Sequence, residues 1–131
     1  RHPDHAKASS LVSEACFLSG LPKITTELKG SAQDSWRPEA VYHYIQDYYI
    51  EPDFIVDISN QIELKLEAIK AYKTQFYDPK STEPETPISG EDFIEFIKAR
   101  ARNFGRLIKT EYAEGFTVEV PMKIQDIVTT V

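Results

Sequence analysis

What the chain lacks narrows its class first. Its 131 residues contain one cysteine, Cys16, so no internal disulfide framework is possible and a reducing, cytoplasmic compartment is expected. No apolar run approaches the roughly 20 residues that span a bilayer, and no signal peptide is visible, so no membrane role is expected. Basic residues are in the minority, and the net charge of −6 argues against a nucleic-acid surface, which needs a basic patch. There is no initiator methionine, and no internal repeat. The hydrophobic content of 41% is enough for one unit with a real core, so residues 1–131 are expected to form a single unit.

What is present concentrates at the start. Arg1-His2-Pro3-Asp4-His5 places two imidazoles, a carboxylate and a guanidinium in five positions. Rich chemistry at a position where termini usually fray suggests the downstream part of a larger protein. A neutral imidazole is a good zinc ligand, and its second nitrogen needs a partner to fix the tautomer. Asp4 suits three roles: metal ligand, helix cap, or orienter of His2. A hydrolytic zinc centre needs three protein ligands and an open position, and this run offers two or three. A capped helix start with surface histidines accounts for the same residues.

Residues 4–19 read as an amphipathic helix, with Ala8, Leu11, Val12, Ala15 and Cys16 at helical spacing, Asp4 as N-cap and a buried Cys16. Residues 21–38 read as irregular. Residues 40–47 and 54–58 read as strands, with Pro52-Asp53 as a turn. A helix is expected over 60–76, capped by Ser59, with Ile62, Leu66, Ile69 and Phe76 on one face. Residues 77–88 form a proline-punctuated loop. A third helix spans 90–109, burying Phe93, Ile97, Phe104, Leu107 and Ile108, with Arg100 on the same face as a snorkelling side chain. A further strand is expected near 116–120. Alternating strands and helices predict an α/β layered fold with too few strands for a complete parallel sheet.

The run Arg1-His2-Pro3-Asp4-His5-Ala6 entering a helix resembles the second motif of the PIG-L/LmbE-like zinc-dependent N-acetylglucosamine deacetylases. The similarity continues through Trp36-Arg37-Pro38, Val41-Tyr42-His43-Tyr44 and Pro52-Asp53-Phe54-Ile55-Val56-Asp57-Ile58. It returns at Ala71-Tyr72-Lys73-Thr74-Gln75-Phe76, Thr86-Pro87-Ile88 and Tyr112-Ala113-Glu114-Gly115-Phe116, in order along nearly the whole chain. It looks most like the branch acting on N-acetylglucosaminyl-malate in bacillithiol biosynthesis.

The resemblance implies the C-terminal part of a Rossmann-like three-layer fold, with upstream strands missing. It implies zinc as cofactor with His5 as a ligand, His2 and Asp4 as catalytic residues, and Arg37 as a substrate-binding residue. It also implies a sugar conjugate as substrate and a homo-oligomer, with Tyr48-Tyr49 and the 77–88 loop as candidate contacts. For His43 and Glu114 structural roles are favoured. The family's first motif, His-Pro-Asp-Asp, is absent here, so the general base and further zinc ligands would come from a missing N-terminal half, and the isolated chain is expected to be inactive. Phe93 stands where some relatives carry a tyrosine, and it has no hydroxyl to offer. A metal-free binding or assembly module and a generic amidase of the same fold are the alternatives.

Overall fold

The computed structural model describes residues 2–76, 78, 80, 82, 84 and 86–126. Among these residues three helices and five strands form a mixed α/β arrangement in which four strands follow the first helix and two helices precede the last strand: α1 (Pro3–Ser19), β1 (Thr26–Leu28), β2 (Ser31–Gln33), β3 (Tyr42–Tyr44), β4 (Phe54–Asp57), α2 (Ile62–Lys70), α3 (Phe93–Ile108) and β5 (Ala113–Val118). The chain divides into two compact units, residues 1–50 with 116–131, and residues 51–115.

In the first unit, α1 begins at Pro3, where the ring pre-sets the helical φ and the missing N–H has no partner to lose. The expected cap at Asp4 is corrected: His2 occupies the N-cap, and its Nδ1 accepts from the Asp4 backbone N–H at 3.3 Å. Asp4 instead places its negative charge in the first turn, where it complements the helix dipole. No residue of α1 is buried. Leu11, Val12 and Phe17 are all more than half exposed, and Cys16 is only half-buried, so the expected covered face is open.

Residues 21–38 are not wholly irregular. β1 and β2 form an antiparallel hairpin with Leu28 opposite Ser31. Its turn residues, Lys29 and Gly30, both have positive φ, which the twist of a two-residue hairpin loop demands. β3 then pairs antiparallel with the second half of β5, with Tyr42 opposite Val118, His43 opposite Thr117 and Tyr44 opposite Phe116. The alternation puts His43 and Thr117 on one face and the tyrosines with Phe116 and Val118 on the other.

The second unit is built on apolar burial. Ile58, Ile62, Leu66, Ala101 and Tyr112 form its core, with Ile94 and Ile97 packed against it. β4 lies beside β5, and α3 lies against β4. Gly115 makes this packing possible, because a Cβ there would stand 3.0 Å from both Phe104 and Pro52.

α2 is shorter than the expected 60–76 and gives way to turns beyond Lys70, although Phe76 still stacks on Phe93 with ring centroids 5.4 Å apart. Ser59 does not cap α2. Its hydroxyl lies 2.6 Å from Asp57 Oδ1, and its Oγ accepts from the Tyr112 N–H at 3.1 Å. In α3 the buried stripe is Ala101, Phe104 and Gly105, whereas Leu107 is 59% exposed. Arg100 is half-buried with its guanidinium 4.7 Å over the Phe96 ring. Arg1 and several positions of the 77–88 loop lie outside the described residues.

Candidate functional site

The first turn of α1 gathers the histidine chemistry. The His2 imidazole and the Asp4 carboxylate approach to 3.3 Å at Nδ1, with both side chains largely exposed. Two protonation states use this contact differently. Neutral His2 with its proton on Nε2 accepts the Asp4 N–H at Nδ1 and caps the helix. Protonated His2 carries a hydrogen on Nδ1 and turns it toward the Asp4 carboxylate instead. Capping and charging therefore compete for one nitrogen.

His5 follows one turn on. Its Nε2 lies 3.2 Å from the Gln46 side-chain nitrogen, and Gln46 Oε1 is buried without a hydrogen-bond partner among the described residues. The amide can present either of its ends to the ring, so the tautomer of His5 decides the direction of the bond. Sequence reading passed over Gln46 for a physical reason. Strict alternation along 40–47 places it on the face opposite His43, but β3 ends at Tyr44, and past that point the chain brings both residues to α1.

His43, for which a structural role is expected, joins a wider hydrogen-bond network. Its Nδ1 lies 3.0 Å from Ser9 Oγ and its Nε2 lies 2.8 Å from Glu119 Oε1. Ser13 Oγ donates to the same Glu119 oxygen. The Ser13 hydrogen bond, and after it that of His43, holds the Glu119 carboxyl below its ordinary value. Glu114, in the second unit, is ion-paired with Lys65.

Arg37 is not brought to the histidines. Its Nη2 donates to the Phe17 carbonyl at 2.9 Å and its guanidinium stands 4.6 Å over the Phe17 ring, at the opposite end of α1. At 1.5 Å per residue, Phe17 is about 18 Å along the helix axis from His5. Gly20 leaves the space, since a Cβ there would meet Arg37 Nε at 2.5 Å. The arginine thus satisfies a C-terminal carbonyl and sets a cation at the negative end of the helix dipole.

His5 has the chemistry of a zinc ligand, but no three His, Cys, Asp or Glu side chains converge on a metal position among the described residues.

The chain is homologous to a sugar deacetylase. It is 32% identical over 114 residues to the diacetylchitobiose deacetylase of Thermococcus kodakarensis, an alignment spanning 87% of this chain and 38% of that protein. Its structure matches the crystal structure of the conserved protein TT1542 from Thermus thermophilus with a TM-score of 0.75 and 30% identity, over 95% of this chain and 49% of that one. The chain therefore spans less than half the length of either relative. No protein-family model matches it. Among the described residues, no helix is long and apolar enough to cross a membrane.

Proposed function

We propose that this chain works in hydrolytic deacetylation of an N-acetylglucosamine conjugate, with N-acetylglucosaminyl-malate of bacillithiol biosynthesis as substrate. The homology to diacetylchitobiose deacetylase carries the deacetylase part of this reading, and the malate conjugate rests on the sequence resemblance alone. The His2, Asp4 and His5 turn supports it chemically. Protonated His2 can donate to a developing oxyanion or to the leaving amine, and the Asp4 carboxylate lies beside it. In water such an exposed pair contributes under about 1 kcal/mol, and it strengthens when the site is covered. Arg37, whose Nη2 donates to the Phe17 carbonyl at the far end of α1, is proposed as a substrate-binding residue rather than as a participant in proton transfer.

We further propose zinc as the metal, with His5 as one ligand and the other ligands and the general base supplied by polypeptide outside the described residues. When bound, zinc would supply an activated water and a polarised carbonyl. A cytoplasmic, homo-oligomeric protein completes this reading, with the exposed Tyr48 and Tyr49 as candidate contacts.

The test is amine release from N-acetylglucosaminyl-malate and from diacetylchitobiose, using the chain with zinc, alone and together with a polypeptide carrying a His-Pro-Asp-Asp motif. Release from the malate conjugate only in the combined sample is expected. Release from diacetylchitobiose instead would reassign the substrate, and none from either would sink the deacetylase reading. One observation favours a second reading, a metal-free binding module: His5 Nε2 is already engaged by Gln46. Zinc stoichiometry separates the two. Near one ion per combined protein supports the enzyme, and none under metal-replete conditions supports the module.

A further inference from the structure

Positions 5, 9 and 13 of α1 recur every four residues and so line one face of the helix. Each meets a side chain from outside α1: His5 meets Gln46 at 3.2 Å, Ser9 meets His43 at 3.0 Å, and Ser13 meets Glu119. The second and third rungs are joined by the 2.8 Å contact from His43 to Glu119. The sheet register explains that link. His43 sits opposite Thr117, and Glu119 is the next residue on the same face of that strand direction, within diagonal reach.

One set of proton positions satisfies these contacts together. With its hydrogen on Nε2, His43 donates to Glu119 and accepts the Ser9 hydroxyl at Nδ1, while Ser13 donates to Glu119. Serine, imidazole and carboxylate in this order suggest an acyl-transfer triad, but the local backbone excludes it. Ser9 lies inside α1, where the neighbouring N–H groups are spent on helical hydrogen bonds and none is left to hold an oxyanion.

The network has a different use. A helix with no buried residue is not held in rotation by apolar packing. At its C-terminal end α1 is tied by Arg37 to the Phe17 carbonyl and by the Trp36 N–H to the Ser19 carbonyl. Toward its N-terminal end, the ladder is what restrains it.

We propose that His43 is a positioning residue for the histidine turn: by clamping Ser9 and Glu119 together, it fixes the rotation of α1 and so presents His5 and His2 in one orientation. This rests on the reading of His5 and His2 as site residues, but its test needs no substrate. Imidazole 15N and 1H resonances would be recorded on the full 131-residue chain and on His43→Ala, His43→Gln and Ser9→Ala.

In the unaltered chain His43 should show the Nε2–H tautomer and His5 a single set of signals. His43→Ala should displace the His5 and His2 signals beyond their linewidths. His43→Gln, whose amide can replace the donor to Glu119, should return them toward their original positions. Unmoved His5 and His2 signals in His43→Ala would overturn the proposal, as would equal displacement in His43→Gln. If His43→Ala does not fold, Ser9→Ala decides: displaced His5 signals in a folded chain support the clamp, and unmoved ones overturn it. Coupling with no amine release from the combined sample would refute the enzyme reading alone, and amine release from the combined sample with uncoupled imidazoles would refute the clamp alone.

Discussion

The two units hold themselves together by different means. In residues 51–115, Leu66, Phe104 and Ala113 are almost wholly removed from water, and polar contacts such as Lys65–Glu114 are set around that core. In the other unit Ile45 is the only buried side chain among the described residues, and its longest helix buries nothing. There the order comes from hydrogen bonds: a histidine cap, a hairpin, an arginine on a helix carbonyl and a polar ladder. The histidine chemistry belongs to this second kind of structure. Such regions open at lower free energy than apolar cores, which suits elements that must meet a ligand or another polypeptide.

The sharpest way to break this contrast is to remove matched pieces from each side. Leu66→Ala deletes a side chain that is 1% exposed and should cost roughly 3.5 kcal/mol, the middle of the range for buried leucine truncations. Ser9→Ala removes one rung of the ladder and should cost about 1 kcal/mol or less. Native-state hydrogen exchange read separately on α2 and α1 would measure both. Equal costs would show that the first unit depends on packing after all.

A smaller effect, of opposite sign, tests the backbone of the second unit. Lys109 closes α3 in the left-handed region at φ 62°, with its N–H bonded to the Gly105 carbonyl. A side chain there carries a strain of about 1 kcal/mol that glycine does not. Lys109→Gly should raise the midpoint of urea unfolding with an unchanged slope. A lowered midpoint would mean that the lysine side chain contributes more than its backbone costs.

Sequence reading captured the second unit better than the first, for reasons visible in single residues. β4, α2 and α3 announce themselves by apolar periodicity, and Ile62, Leu66 and Phe104 are buried where the spacing put them. The β1–β2 hairpin escaped because its turn is Lys29-Gly30 rather than the Asn-Gly or Asp-Gly that signals such turns. The apolar spacing of α1 predicts a covered face, but periodicity shows only that a face exists, not what covers it. At the site, His2, Asp4 and His5 were legible because they are local in sequence. Gln46 and Glu119 were not, because they arrive from 41 and 106 residues away from the side chains they touch on α1.

The finest difference between the units concerns acid. Glu119 in the first unit is lowered from its ordinary 4.5, by Ser13 first and then His43. Asp57 in the second is lowered from its ordinary 3.8, first by the Ser59 side chain and then by the Ser59 backbone. A carboxyl bound more tightly as the anion in the folded state adds stability that is complete above its ordinary value. That stability fades as pH falls through the lowered folded value, because the unfolded chain takes up the proton first. The decline for Glu119 therefore begins near 4.5 and that for Asp57 only near 3.8. On acidification, amide protection around β3 and α1 should start to drop before protection around Ser59 and Tyr112. Glu119→Gln should flatten the first response and Asp57→Asn the second. Both exposed carboxylates contribute little, so the order of onset is the quantity to measure. Simultaneous onset, or earlier loss around Tyr112, would mean that the polar ladder does not govern the acid response of the first unit.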